Sequence, residues 1–402
     1  MYENLAVLAV FIFLYSLSSG FLERTPINGA LVFTAFGLVC GPFGLDILKL
    51  DIGTEELRTL AELTLALVLF TDASSANLKV LKKNFHIPQR LLLIGLPMTI
   101  LLGFGIGMFM FDNLSLLEIA ILATLLAPTD AALGKAVVTN PLVPAKIREG
   151  LNVESGLNDG ICVPILFLFL ALAAGSAQEG GSHFLAFQLI AEEIGIGVAV
   201  GVILTLSAVW IARLCNERGW VTESWRQLPV IVLAVSCFSI AQILGGSGFI
   251  AAFVGGLIFG SLIQTKKFLL SAEGTGDTMA LITWVIFGAT VIAQSFKSFS
   301  WEIVFYSILS LTIIRMLPAF LSLGGMNLST NEKLFMGWFG PRGLASIVFA
   351  VIVLNAELPG SNTIAMTAAC TIILSIIAHG LSANFLIGRL AKKMQQEKNS
   401  TV

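Results

Sequence analysis

The run Val153-Glu154-Ser155-Gly156-Leu157-Asn158-Asp159-Gly160 sets two carboxylates and a carboxamide in the middle of an otherwise apolar stretch. An ionised side chain near the centre of a bilayer costs at least ~2.5–3.5 kcal/mol, so such groups normally face a polar cavity and mark an ion or proton path. Asp130, Arg315 and Arg342 stand inside other apolar stretches. On a helix, Glu154 shares a face with Asn158 and Ser155 with Asp159, which gives two adjacent polar stripes. One stripe suits a structural ion pair, the other a hydrated cation site. A hard monovalent cation prefers oxygen ligands. Asp159 and Ser155, with the Thr129 and Asp130 region and water, supply them. One carboxylate that holds either a proton or a cation is sufficient to exchange the two. The plainer alternative joins all these charges in a buried structural network, and it leaves Asp159 without a task.

The elements that position these groups must lie in a membrane. Charged residues are 12% of the 402 positions and hydrophobic ones 56%, and the mean hydropathy is +0.91. A soluble domain carries about 25% charged residues. The net charge of −2 argues against nucleic acid as a partner. Five cysteines form no CxxC or CxxH spacing and read as small buried residues. The first apolar segment has no basic leader and no A-x-A site, so it reads as a retained span. HExxH, Walker A and GxGxxG patterns are absent from the sequence, which disfavours metalloprotease, ATPase and dinucleotide-binding classes. The expectation is a non-enzyme without a cofactor.

Apolar runs between polar breaks predict an all-α polytopic membrane protein with thirteen spans, at 4–20, 27–45, 58–76, 88–111, 116–137, 148–174, 190–213, 228–245, 248–265, 279–295, 299–323, 332–354 and 362–388. Residues 1–402 form a single membrane domain, with no stretch left for a soluble one and a short polar tail after Arg389. Connections after odd-numbered spans, together with that tail, hold every Lys and Arg except Lys49, Arg58, Lys297 and the in-span Arg315 and Arg342. The positive-inside rule then puts the N-terminus outside and the C-terminus in the cytoplasm. At ~1.5 Å per residue, Asp130, Asp159, Arg315 and Arg342 all fall near the midplane.

Ala127-Pro128-Thr129-Asp130 interrupts span 5, and Gly340-Pro341-Arg342-Gly343 interrupts span 12. Proline inside a helix removes a donor and clashes with the preceding turn. A lone proline reads as a kink, but two breaks seven spans apart predict two six-helix repeats of inverted topology, spans 1–6 and 8–13. Interrupted segments at corresponding places in two halves point to a transporter's midplane site. Asp130 is expected to cap the positive helix ends and Arg342 to neutralise the negative ones. A direct place for Asp130 in the cation's shell stays open.

Glu154-Ser155-Gly156-Leu157-Asn158-Asp159-Gly160, Ala127-Pro128-Thr129-Asp130 and Gly337-Trp338-Phe339-Gly340-Pro341-Arg342-Gly343 strongly resemble the monovalent cation/proton antiporters, in the electroneutral sodium/proton exchanger branch of bacterial and archaeal type. Leu69-Phe70-Thr71-Asp72-Ala73-Ser74 and Arg315-Met316-Leu317-Pro318 look like further family segments, and the resemblance covers essentially the whole chain. It implies a homodimer in the cell (inner) membrane, with no obligate partner beyond membrane lipid. It also implies a mobile core domain (88–174 and 299–388) and a dimerisation domain (1–76 and 190–295). By that similarity Asp159 binds cation and proton, Asn158 is its neutral neighbour, and Glu154 pairs with an arginine. Arg315 is the favoured partner, because Arg342 is occupied at the helix break. Electrogenic relatives carry a second aspartate where Asn158 stands, so exchange is expected to be electroneutral. Asp72 reads either as a cytoplasmic funnel ligand or as a surface-facing acid. The long regulatory tail of some relatives is absent, and control through such a tail is not expected.

A cation channel, or a transporter of another solute on the same fold, is the main rival. A channel needs a continuous pore, whereas Asp130, Glu154 and Asp159 against two arginines make an asymmetric, net acidic site. Gly245-Gly246-Ser247-Gly248 with His379 superficially resembles an intramembrane serine protease, but the span map sets serine and histidine toward opposite sides. The sequence does not choose among Na+, Li+ and K+.

Overall fold

A computed structural model describes residues 2–22, 29–42, 44–48, 55–75, 86–130, 133–177, 183–222, 225, 228–263, 269–292 and 300–400. Among them every regular element is helical. In chain order these are α1 (Tyr2–Leu22), α2 (Gly29–Cys40), α3 (Glu55–Ser75), α4 (His86–Met110), α5 (Leu116–Leu125), α6 (Lys135–Val138), α7 (Ala145–Ala177), α8 (His183–Glu217), α9 (Leu228–Ile243) and α10 (Gly248–Leu262). There follow α11 (Leu270–Phe287, continued by a π-turn over Gly288–Ile292), α12 (Trp301–Ser322), α13 (Thr330–Trp338), α14 (Leu344–Asn355) and α15 (Ser361–Ser400). Helix occupies each apolar run of the sequence. Among the described residues six helices, α1, α4, α7, α8, α12 and α15, are long and apolar enough to cross a bilayer.

Three departures from the expected spans have local causes. Helix α4 carries a π-turn over Leu91–Gly95, just ahead of Pro97, whose missing N–H breaks the regular ladder. The run 299–323 is not one regular helix: Thr312 takes φ −107° and ψ −94°, and its Oγ1 donates back to Ile308 O at 2.7 Å. Helix α15 runs on to Ser400 where a short polar tail was expected. The lysines, glutamines and glutamate beyond Arg389 are good helix formers.

Contacts divide the chain into two compact units, Met1–Arg58 with His86–Ser155 and Leu281–Val402, and Thr59–Phe85 with Gly156–Ala280. In the first, a buried cluster of Phe33, Trp284, Phe287, Ile347 and Ile372 joins α2, α11, α14 and α15. A second cluster of Ile147, Leu151, Leu323, Met336, Phe339 and Ile387 binds the first half of α7 to α12, α13 and α15. In the second unit, glycines let backbones touch. A Cβ on Gly197 or Gly201 would stand 2.7 Å from Ser247 O or 2.6 Å from Ala251 O, so α8 and α10 cross closely. Helix α10 likewise meets α3 at Gly256, where Ser74 Oγ donates to Gly256 O at 3.1 Å. A Cβ on Gly105 or Gly195, by contrast, would meet nothing within 4 Å. Cys40, Cys162, Cys237 and Cys370 are buried.

Candidate functional site

The site is built on two short helices that begin alike. Helix α5 starts with a capping box, in which Ser115 N donates to Glu118 Oε2 at 2.8 Å and Glu118 N to Ser115 Oγ at 3.3 Å. Helix α13 repeats it with Ser329 and Glu332, at 2.7 and 3.3 Å. Ser-x-x-Glu ahead of an apolar run is a readable helix-start signal. With 10 and 9 residues, neither helix spans a membrane, since ~10 residues rise only ~15 Å. Each runs into a proline-bearing break, at 126–130 and at 339–343.

The breaks cross. Asp130 N donates to Pro341 O at 2.8 Å, which fixes one extended segment against the other. Asp130 Oδ2 accepts from Leu344 N at 2.9 Å, and its Oδ1 from Leu133 N at 3.2 Å. One carboxylate therefore serves the N-terminus of α14 and the chain leaving its own break, where backbone N–H groups and the dipole favour negative charge. A Cβ on Gly343 would overlap the Asp130 carboxylate, so only glycine admits this approach.

The opposite polarity is met by cations and donors. Arg342 is fully buried; its Nη1 donates to Gly340 O at 3.0 Å and its amide to Ser375 Oγ at 2.7 Å. His379 Nε2 lies 2.8 Å from Trp338 O, the last carbonyl of α13. Neither Ser375 nor His379 was singled out at the breaks from sequence, because their partners are backbone atoms distant in the chain. Ser247 caps α10, accepting from Ile250 N at 3.4 Å, and Gly245 at φ +77° makes the turn before it. Both protease candidates are thus engaged in holding helix ends.

Glu154 pairs with Arg315 in a two-pronged bridge, Nη1 to Oε1 at 2.5 Å and Nη2 to Oε2 at 2.8 Å, with both side chains 2% exposed. Of the two arginines weighed for Glu154, this is the one the sequence favoured. The guanidinium also lies against Gly340, where a Cβ would collide with Arg315 Nε. Beside it, Thr129 Oγ1 and Ser155 Oγ are hydrogen-bonded at 3.0 Å and buried. The first unit thus brings together Thr129, Asp130, Glu154, Ser155, Arg315 and Arg342.

Helix α7 continues without interruption past Ser155. Asn158 and Asp159 lie on its next turn, 1% and 8% exposed, and belong to the second unit. Asp72 is half-buried on α3 in that unit. A Cβ on Gly156 would stand 3.5 Å from Asp72 Cβ and from Asp72 O, so the acid packs against α7 one turn before Asp159.

Two interrupted helices, crossing at a buried set of carboxylates and arginines within an apolar helical protein, define a polytopic membrane protein of the secondary-transporter class. A family profile described as the transmembrane sodium/hydrogen exchanger matches residues 7–388, and the chain belongs to that family. It is 25% identical over 382 residues to a probable Na(+)/H(+) antiporter of Schizosaccharomyces pombe, covering 89% of this chain and 50% of that protein. Identity to the K(+)/H(+) antiporter NhaP2 of Shewanella sp. strain ANA-3 is 23%, covering 92% of this chain and 64% of the relative. The chain thus spans half to two-thirds of the length of these two relatives. The fold is that of the sodium proton antiporter MjNhaP1 from Methanocaldococcus jannaschii, with a TM-score of 0.74, 22% identity and coverage of 94% and 99% of the two chains.

Proposed function

We propose that this protein exchanges a monovalent cation for H+ across the membrane by electroneutral alternating access, with Asp159 as the carboxylate shared by cation and proton. Na+ is the first candidate, ahead of Li+ and K+. The observation that carries the reading is the fate of the other two deep acids. Glu154 is held by Arg315, and Asp130 serves two N-terminal segments. Those engagements favour Asp159, beside the neutral Asn158, as the titrating group. Ser155 and Thr129 supply further oxygen ligands for the bare or partly hydrated cation, and Asp72 is a candidate on its approach. Names of relatives as Na(+)/H(+) and K(+)/H(+) antiporters support the substrate class.

An inverted repeat is supported by matched contacts at one sequence offset. Asp130 and Leu344, joined through Oδ2 and N, are 214 apart; so are Ser115 and Ser329, Glu118 and Glu332, and Lys146 and Gly360. Glu118 Oε1 accepts from Gly360 N at 2.6 Å, and its counterpart Glu332 Oε1 meets Lys146 Nζ at 2.8 Å. Each capping-box glutamate so reaches the start of the long helix in the other repeat. The full reading has thirteen spans, the N-terminus outside and the C-terminus in the cytoplasm of the cell (inner) membrane. It pairs two copies through helices of 1–76 and 190–295, with 88–174 and 299–388 as the mobile core.

The test is proton release in proteoliposomes under a pH gradient, with Na+, Li+ and K+ pulses given to wild type and Asp159→Ala. Cation-dependent release that vanishes in the variant, with a wild-type rate unchanged by an imposed membrane potential, is expected. No response from folded wild type to any cation favours another solute or a channel. A response that survives in Asp159→Ala moves the site. A rate that follows the potential overturns the one-for-one stoichiometry.

A further inference from the structure

His379 is 3% exposed, on a helix in the apolar interior, and has no part in the exchange chemistry above. Its Nε2 faces Trp338 O at 2.8 Å. Nδ1 faces a second carbonyl, Ser375 O of its own helix, also at 2.8 Å. A carbonyl oxygen only accepts, so the bond to Trp338 O is made when Nε2 carries a hydrogen and donates it. Helix α13 stops inside the protein, and its final carbonyls have no following turn to bond. Gly340 N donates to Trp338 O at 2.8 Å, and the histidine supplies a second donor to that oxygen. Its ring also rests against Trp338 and Phe339, with centroids 5.2 and 6.3 Å away. Trp338 Nε1 in turn donates to Ser382 Oγ of α15 at 2.9 Å.

One turn earlier on the same face of α15 stands Ser375. Its Oγ accepts the Arg342 amide at 2.7 Å and lies 3.2 Å from His379 Nδ1. The pair therefore grips the second break at both ends, at Trp338 O where α13 stops and at Arg342 N just before α14 begins. Between those points lies Pro341 O, the acceptor for Asp130 N.

We propose that His379, acting with Ser375, is a positioning residue for exchange: it clamps the break at 339–343 onto α15 and so fixes where Arg342 and the Asp130 crossing sit. The role rests on the exchange reading above. It needs a donor at the Nε2 position and not a titrating ring. Glutamine, whose amide N–H extends to a similar reach, therefore replaces histidine, whereas leucine fills the space and removes the donor.

The experiment compares wild type, His379→Gln and His379→Leu in the proteoliposome assay, with initial rates against Na+ concentration at several pH values. His379→Leu is expected to raise the apparent KM about fivefold or more with a smaller change in maximal rate, since an ångström-scale displacement of a site is costly. His379→Gln is expected to stay within about twofold on both parameters and to keep the wild-type pH profile. A loss in maximal rate alone for His379→Leu indicates fewer folded molecules and overturns the proposal. So does a glutamine variant as impaired as leucine, or one with a displaced pH profile, which makes the ring a titrating group. Amide hydrogen exchange on the purified full chain reads the clamp without transport. Protection of peptides covering 339–343 is expected to fall in His379→Leu and to hold in His379→Gln, with α2 peptides unchanged in both. Unchanged protection at 339–343 in His379→Leu also overturns the clamp. A wild type that releases no protons with any cation defeats the exchange reading, while the protection data still decide the clamp.

Discussion

Asp130 Oδ2 accepts a hydrogen bond from the Leu344 amide at 2.9 Å, so the carboxylate of one helix break caps the helix that leaves the other. The second oxygen bonds Leu133 N within its own segment. Removing an N-cap acceptor costs about 0.5–2 kcal/mol, and asparagine is among the best caps. Asp130→Ala should therefore lower the unfolding midpoint in detergent more than Asp130→Asn. Any deficit of Asp130→Asn measures the lost charge together with the one acceptor that the amide NH2 does not replace. Equal midpoints for wild type and Asp130→Ala would show that the caps contribute nothing to stability.

Glu154 and Arg315 form a bridge with both side chains 2% exposed. Removing one partner of such a pair strands a charge and costs about 3–5 kcal/mol, whereas replacing both by apolar residues of similar volume is often near neutral. Arg315→Met is expected to aggregate or to melt far below wild type, and Glu154→Leu with Arg315→Met to recover most of the loss. Thermal unfolding of the three proteins checks this. A double variant no better than Arg315→Met would mean that Arg315 is needed for itself, for instance where it lies against Gly340.

How much of this was legible in the sequence depends on the range of the signal. The apolar runs and the two proline breaks are local and strong, and helix occupies or interrupts them as composition and proline chemistry require. The choice of Arg315 for Glu154 followed from assigning Arg342 to the break. The Ser115–Glu118 and Ser329–Glu332 boxes were written in the sequence as Ser-x-x-Glu and went unread. The role of His379 had no such signal. A histidine on an apolar helix looks the same whether it faces lipid or a carbonyl 41 positions earlier. The break at Thr312 was also hidden, since a threonine that bonds back to its own helix is common in regular helices.

Gly343 and Gly105 make a matched pair of substitutions. A Cβ at Gly343 has no room beside the Asp130 carboxylate, whereas one at Gly105 meets nothing within 4 Å. Gly343→Ala must push the two breaks apart, and a displacement near 1 Å can cost about a hundredfold in rate. Exchange by Gly343→Ala is expected to fall at least about tenfold, while Gly105→Ala matches wild type. Full activity in Gly343→Ala would mean that the crossing is not needed for transport.

The two capping-box glutamates hold corresponding places yet should differ in weight. Glu118 is 4% exposed and accepts the Gly360 amide at 2.6 Å, with Ser115 N and Oγ on its other oxygen. Taking it away leaves buried donors without an acceptor, at about 1–3 kcal/mol each for groups shut off from water. Its counterpart Glu332 meets Lys146, whose side chain is 39% exposed. A half-exposed ion pair contributes about 0–1 kcal/mol after screening. Glu118→Ala should therefore destabilise the protein clearly, and Lys146→Ala hardly at all, although both delete a partner from the corresponding contact. Added salt should narrow the difference between wild type and Lys146→Ala and leave the Glu118→Ala deficit in place. Equal losses from the two substitutions would mean that the bridge to Lys146 is shielded from solvent in the membrane-embedded protein.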